Sequence, residues 1–231
     1  MRKNQSLVDQ IDNMGRKKRL IELPTSCLSY SQVSLWLSSP TRYKKIFFDQ
    51  DEGARFMNDA MRYGSWVADA MENDEETGDL MTDMAIAQLV KYDVRDEEME
   101  AVLHTKDGDI KILSHPDTFD SKTKALREYK TGMVKWTQKK ADNWFQLKFY
   151  AMLVFIKYNV VPPSCFLDWI ETFKDDDGEI KPTGNVFTFK VNITMGDIIN
   201  TLATVSRVAK EIEAEWLVYE KPVTPFTKWI Q

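Results

Sequence analysis

The chain has 231 residues, of which 43% are hydrophobic and 29% are charged, and its formal net charge is −5. This composition is typical of one folded domain, or at most two small ones, and it excludes a uniformly basic nucleic-acid binder. With no apolar run of about 18 residues, the chain is predicted not to cross a membrane. The start has no apolar signal core, and the two cysteines are too few for a disulfide framework, so a reducing, cytoplasmic setting is expected.

The first 24 residues are polar and show no clear hydrophobic period. They include the basic run GRKKR at 15–19, and residues 1–24 are predicted to form a flexible basic segment. The remainder, 25–231, is predicted to fold as a single domain.

Hydrophobic periodicity, capping residues and turn residues predict the elements that follow. Helices are predicted over about 29–39, 55–72, 79–91, 137–158 and 195–219. Strands are predicted over about 99–106, 109–116 and 125–130, and in the runs SCFLDWIETF and NVFTFKVNIT. Pro40 either ends the first helix or opens another after Ser39. This order predicts an α/β fold with a central mixed sheet flanked by helices and a helical N-terminal region.

Charge is distributed unevenly along the chain. Residues 69–100 carry twelve acidic and two basic side chains, whereas residues 121–148 carry eight basic and two acidic ones. A locally positive face of this kind can hold a polyanion such as DNA. The alternative is two solvated surfaces of opposite sign.

The motif with the most chemical content spans two predicted strand ends. Pro116 and Asp117 end one strand, and Glu128 and Lys130 end the next, with eleven positions between the two carboxylates. That is about the length of a tight connection, so the carboxylates are expected to converge. Two converging carboxylates suit Mg²⁺ or Mn²⁺. Residues two apart on a strand share a face, so Lys130 is expected beside Glu128, where it would act on a water or a phosphate. The alternative is an ion pair at the surface.

These residues carry a resemblance to a known family. HPDTFD, followed by REYKTG and then QLKFY, resembles the motifs of the PD-(D/E)XK nuclease superfamily, in its RecB-like and phage-exonuclease branch. The upstream stretches YSQVSLWLSSPTRY and YGSWVADAME are similar to helices of that branch, so the likeness spans about 29–158. It implies a restriction-endonuclease-like core and metal-dependent cleavage of DNA phosphodiester bonds.

The resemblance implies a role for each matched residue. Asp117 and Glu128 would bind the metal together with the backbone carbonyl of Tyr129, and Lys130 would position the attacking water. On the next helix, a Q-x-x-x-Y motif matches Gln146 and Tyr150, which lie four apart on one face. These two would support the site or contact the substrate backbone, and the alternative for the tyrosine is a core aromatic.

The chain departs from the family pattern in two places. Many relatives have a metal-binding histidine four residues after the helix glycine, but the residue four positions after Gly64 is Ala68. Glu72, one turn further on, would replace that ligand, or water would; the alternative for this residue is a place in the acidic surface run. Some relatives hold an iron–sulfur cluster on four cysteines, which two cysteines exclude.

Three functions stay open from the sequence. The first is a DNA exonuclease of phage-type recombination, repair or end processing. The second is a structure-specific or flap endonuclease with the same site, and the third is a non-catalytic DNA-binding protein on this fold. The expected partners are DNA and either a second copy of the chain or a recombination protein such as a single-strand annealing protein. Phosphate contacts are predicted for five basic residues: Lys122, Lys124, Lys135, Lys139 and Lys140.

Overall fold

The centre of the fold is a five-stranded mixed sheet. The computed structural model describes residues 19–55, 57–95 and 97–219. Within these ranges the strands are β1 Val94–Arg95, β2 Met99–His104, β3 Asp109–Ser114, β4 Thr118–Phe119, β5 Leu126–Gly132, β6 Cys165–Lys174 and β7 Ile180–Val191. The sheet has the order β1–β4–β5–β6–β7. Only β5 and β6 run parallel, and the other neighbouring pairs are antiparallel.

Helices cover both faces of this sheet. They are α1 Tyr30–Ser38, α2 Pro40–Phe47, α3 Asp59–Asn73, α4 Leu80–Ile86, α5 Gln138–Asp142, α6 Phe145–Tyr158 and α7 Met195–Leu217. The predicted fold class, a mixed α/β fold with a mixed central sheet flanked by helices, is therefore confirmed. Within the described residues, no helix is long and apolar enough to cross a lipid bilayer.

Two hydrophobic clusters follow from the alternation of side chains along the strands. Leu167 and Trp169 of β6 face a large cluster that includes residues of α1, α6 and α7. Ile170, the next residue along β6, points to the other face of the sheet and packs in a smaller cluster built from α3 and α4. Tyr129 of β5 packs against this second cluster, so Glu128 and Lys130 are directed to the opposite face of the sheet.

Local hydrogen bonds explain where several helices begin and end. The Ser39 side chain accepts from the backbone N–H of Arg42 and caps α2, with Pro40 in the first turn. Pro40 therefore opens a second helix, as one of the two sequence interpretations held. The helix predicted over 137–158 is divided into α5 and α6. At the division, the Asn143 amide donates to the Lys139 carbonyl at 2.7 Å, a local bond that competes with helix continuation.

The β2–β3 hairpin forms a separate two-stranded sheet rather than part of the central one. The segment before α1 pairs with its second strand, through bridges from Leu20 to Asp109 and from Leu28 to Ile112. Of the predicted flexible segment 1–24, positions 1–18 lie outside the described residues. From residue 19 onward the chain is packed, and Ile21 is 2% exposed. The folded part thus begins before the predicted boundary at residue 25.

Candidate active site

The candidate site lies where β5 loses its neighbour on one side. The short strand β4 pairs with β5 only at two positions, Thr118 with Arg127 and Phe119 with Leu126. Asp117 lies in the link between β3 and β4, and its side chain reaches the next part of this edge of β5. Its Oδ2 atom accepts a hydrogen bond from the backbone N–H of Tyr129 at 2.6 Å. A carboxylate therefore stands where a further residue of β4 would have paired.

The backbone carbonyl of Tyr129 is directed toward the same edge. In a strand, the N–H and C=O groups of one residue point to the same side. The N–H of Leu126 points to the β6 side, where it donates to Ser164, and alternate residues point the other way. Because the Tyr129 N–H reaches Asp117, its carbonyl faces the Asp117 edge as well. The third ligand implied by the resemblance is thus on the correct side of the strand.

Glu128 is completely buried beside this edge. Its exposed fraction is 0%, and its Oε1 accepts from the Lys130 ammonium at 2.5 Å. Its Oε2 is also buried and accepts no hydrogen bond from the described residues. Burial, followed by the negative charge of Asp117, raises the pKa of Glu128 to about 8, although Lys130 opposes the rise. When Glu128 ionises, its desolvated negative charge is only partly offset by Lys130.

Lys130 is the cationic partner of the buried carboxylate. Its side chain is 28% exposed, and the residue borders the cleft together with Asp117 and Thr131. Burial lowers the pKa of Lys130, but the charges of Glu128 and Asp117 outweigh burial and leave that pKa raised. The ammonium is therefore held charged beside Glu128.

The helix α6 brings Gln146 and Tyr150 against the same carboxylates. The Gln146 amide donates to the Tyr150 hydroxyl oxygen at 2.7 Å, and both side chains are buried. Burial, followed by the charges of Glu128 and Asp117, raises the pKa of the Tyr150 phenol. Tyr150 is accordingly a buried aromatic close to the carboxylate pair, and its role in supporting the site or contacting the substrate stays a prediction.

The cleft itself has a volume of about 730 Å³ and lies between α3 and the end of β5. Gly64 allows the helix to approach the strand, since a Cβ atom there would lie 3.2 Å from the Thr131 hydroxyl. Ala68 and Glu72 line the cleft on the same helix. Glu72 thus shares the cleft with Asp117 and Lys130.

The donor groups at this edge fit a hard divalent cation. Mg²⁺ is typically held by one or two carboxylates, with water and substrate oxygens completing its coordination. Asp117, the Glu128 carboxylate and the Tyr129 carbonyl supply such a set. Across the described residues, however, no three His, Cys, Asp or Glu side chains are grouped to hold a metal. The role of Glu72 as a further ligand therefore stays a prediction.

The five lysines predicted to contact phosphates fall into two groups. Lys122 and Lys124 lie in the turn before β5, while the other three follow its end. The seven residues of β5 separate the two groups along the chain. Lys124 is also held over the Tyr158 ring, 4.3 Å from its centroid. The helix that carries Lys139 and Lys140 lies against β7, where the Gln138 amide donates to the Lys190 carbonyl at 2.8 Å. Lys190 is in register with Phe166 and Arg127, toward the start of β5. The structure thus does not bring the five lysines together into one group beside Lys130.

Two residues near the site were not selected from the sequence. Arg95 lines the cleft and forms an ion pair with Asp74 at 2.6 Å. It is one of two basic residues in the acidic stretch 69–100, and this isolated positive charge could have marked it in the sequence. Tyr30 of α1 lies edge-on to Tyr150, with ring centroids 6.4 Å apart. Burial raises the Tyr30 pKa, and the positive charge of Lys130 opposes that rise. No local pattern marked this residue, because its neighbours are distant in sequence.

Comparisons with known proteins leave the family open. No protein-family model matches the chain, and no curated protein matches it. One solved structure that resembles it is described as the crystal structure of SSO0001, with a TM-score of 0.44 and 9% sequence identity. The alignment covers 96% of this chain and 88% of that one. A likeness at this level carries no argument about activity.

Proposed function

We propose that this protein is a divalent-metal-dependent deoxyribonuclease with a PD-(D/E)XK core, which hydrolyses phosphodiester bonds in DNA. The observation that carries the proposal is the convergence of Asp117, Glu128 and Lys130 at the unpaired edge of β5, next to an open cleft. The spacing of Asp117 and Glu128, eleven positions apart at two predicted strand ends, predicted that the two carboxylates converge.

The arrangement assigns each side chain a part in the reaction. Asp117, Glu128 and the Tyr129 carbonyl would hold Mg²⁺ or Mn²⁺, which supplies charge to polarise a phosphate oxygen and to acidify a bound water. Lys130, charged and partly exposed, orients the attacking water or neutralises charge that develops on the phosphate. The Gln146–Tyr150 hydrogen bond fixes the helix face behind the carboxylates.

An exonuclease that acts at DNA ends is the activity favoured by the resemblance. A structure-specific or flap endonuclease would use the same residues. The retention of Asp117, Glu128 and Lys130 in contact disfavours a non-catalytic DNA-binding protein, because a carboxylate buried at a cost to stability serves no purpose there.

The test is incubation with linear and circular DNA, single- and double-stranded, in Mg²⁺ and in EDTA. We expect Mg²⁺-dependent cleavage that EDTA stops and that spares circular DNA. Asp117→Ala should abolish cleavage while the melting temperature changes little. Asp59→Asn is the matched control, because this exposed carboxylate lies at the start of α3 outside the cleft. Full activity of the Asp117 variant contradicts the proposal, and cleavage of circular DNA selects the endonuclease.

A further inference from the structure

Within the described residues, the β2–β3 hairpin has an open edge, and it belongs to β2. On β3, the backbone groups of Asp109 exchange hydrogen bonds with Arg19 and Ile21, so Asp109 faces the N-terminal segment. Neighbouring residues of a strand point their N–H and C=O groups to opposite sides, so the even-numbered residues of β3 face β2. The register places Ile112 opposite Ala101. The odd-numbered residues of β2 are therefore taken up in the ladder, and the backbone groups of the even-numbered ones point outward.

The outward-facing positions of β2 are 100, 102 and 104. No hydrogen bond from another described residue reaches the backbone N–H or C=O groups at these positions. Their side chains lie on the solvent face of the hairpin, where Val102 is 39% exposed and the His104 side chain is 55% exposed. Ala101 and Leu103 instead pack against the large hydrophobic cluster. A strand with outward, unpaired backbone groups can pair with a strand of another molecule.

The edges of the central sheet are protected in ways that β2 is not. On β7, the Gln138 amide donates to the Lys190 carbonyl. The Gln88 amide donates to the Gly184 carbonyl, and Pro182 of the same strand has no N–H to offer. At the other edge, β1 has two residues. Covering groups, prolines and short strands all prevent edge-to-edge pairing, whereas β2 has six residues, no proline and a regular register with β3.

The exposed stripe along β2 is self-complementary in charge. It runs Glu98, Glu100, Val102, His104 and Lys106, with two acidic residues before the valine and two basic residues after it, all of them exposed. In an antiparallel pair of two such strands centred on Val102, Glu100 lies opposite His104 of the other copy, and Glu98 comes near Lys106. A parallel pair would bring like charges together. Opposite charges on facing strands are stabilising and like charges are destabilising, so the stripe fits a second copy of itself in the antiparallel sense.

From these observations we infer that β2 pairs with β2 of a second copy of this chain, antiparallel and about a two-fold axis at Val102. The contact is isologous, because each copy presents the same strand. The two hairpins then form one continuous sheet. Val102 exchanges both of its backbone hydrogen bonds with its counterpart, and the Cα atoms of such a pair are about 5.5 Å apart. The inference is independent of the proposed nuclease function, and its tests require no cleavage.

Sedimentation velocity of the full chain tests the association. We expect a dimer of two 26.9 kDa chains that dissociates on dilution, because a single pair of strands makes a small interface. Val102→Lys should weaken the association about tenfold or more, since the two-fold axis places the two lysines directly opposite each other. A wild type that is monomeric at every concentration, or a Val102→Lys variant that dimerises as the wild type does, would overturn the inference.

A mixing experiment tests the two-fold axis itself. Val102→Lys and Val102→Glu should each be largely monomeric alone, and an equimolar mixture should form a mixed dimer in which lysine faces glutamate. Melting curves near that of the wild type establish that each variant is folded. A mixture that stays monomeric under conditions in which the wild type dimerises would contradict the proposed axis.

Disulfide formation reports the register. Val102→Cys should link two copies under mild oxidation, because the expected Cα–Cα distance is within the range of a disulfide. Lys111→Cys is the matched control, since residue 111 lies beside Val102 on the same face but one strand away from the edge. Its two copies would be about 14 Å apart, beyond the reach of a disulfide. The wild type, with Cys27 and Cys165, gives the background. Failure of Val102→Cys to link above that background, or equal linking of Lys111→Cys, would refute the pairing.

Discussion

Glu128→Gln distinguishes a functional carboxylate from a structural ion pair. In the absence of metal, burial and Asp117 raise the Glu128 pKa from its ordinary value of 4.5 to about 8. The folded state therefore binds more protons than the unfolded state between these values, and stability falls as pH rises through that window. Each unit between 4.5 and pH 7 costs about 1.4 kcal/mol, so the ionisable group destabilises the metal-free fold by up to about 3 kcal/mol at pH 7.

Glutamine keeps the shape of the side chain and removes that titration. The substitution also removes the attraction between the Glu128 and Lys130 charges, which offsets part of the stability that it gains. That loss is limited, because Lys130 can still donate to the amide oxygen and its side chain is 28% exposed. We expect the variant to be more stable than the wild type by about 1–2 kcal/mol near pH 7, which raises the melting temperature by roughly 2–8 °C. Near pH 4, below the ordinary pKa, the two proteins should melt alike.

The assay is thermal unfolding in EDTA and in Mg²⁺ over a range of pH, with single-turnover cleavage measured in parallel. Mg²⁺ should stabilise the wild type, because a ligand that binds only the folded state shifts the equilibrium toward it, and should stabilise Glu128→Gln far less. The variant should not cleave DNA. A variant that is less stable than the wild type at pH 7 and insensitive to pH would refute this reasoning, and would make Glu128 and Lys130 a structural pair.

Two further predictions concern the cations. Lys130→Ala should bind DNA and Mg²⁺ nearly normally but cleave about 10²–10³-fold more slowly in single-turnover assays. Lys130→Arg should recover little activity, because a planar guanidinium does not replace a compact ammonium. A near-normal cleavage rate in Lys130→Ala would show that Lys130 takes no part in the chemistry. Neutralising the three lysines after β5 together should reduce the slope of log affinity against log salt by about 2–3. Neutralising Lys122 and Lys124 should change the slope less, because the Lys124 ammonium already lies over the Tyr158 ring. An unchanged slope in the triple variant would make those three lysines a solvated face only. The three substituted positions are Lys135, Lys139 and Lys140.

Short-range rules predicted much of the site. The two-residue period of a strand put Glu128 and Lys130 on one face, and their side chains are in contact. The four-residue spacing on a helix put Gln146 beside Tyr150, and these are hydrogen-bonded. Each inference needed only the geometry of a single element.

Long-range relations escaped prediction because they depend on how elements meet. The hairpin of β2 and β3 has the same local signals whether or not it joins the central sheet, and here it stands apart. The complete burial of Glu128 depends on helices drawn from distant parts of the sequence. The position of Tyr30 beside Tyr150 likewise depends on the packing of α1 against α6. Periodicity carries no information about such contacts.

The shortness of β4 links the fold to the site. A longer β4 would pair with Tyr129 and Thr131, satisfy their backbone groups and close the edge of β5. Because β4 has two residues, the Asp117 side chain, and not a further residue of β4, satisfies the Tyr129 N–H. The adjacent carboxylate of Glu128 is buried with one oxygen that accepts no hydrogen bond from the described residues. When this buried carboxylate ionises, the burial and the neighbouring Asp117 charge cost stability in the metal-free protein. Under the proposed function, one divalent cation would offset that cost. Two carboxylates held together in this way are better explained by a function at that edge than by packing.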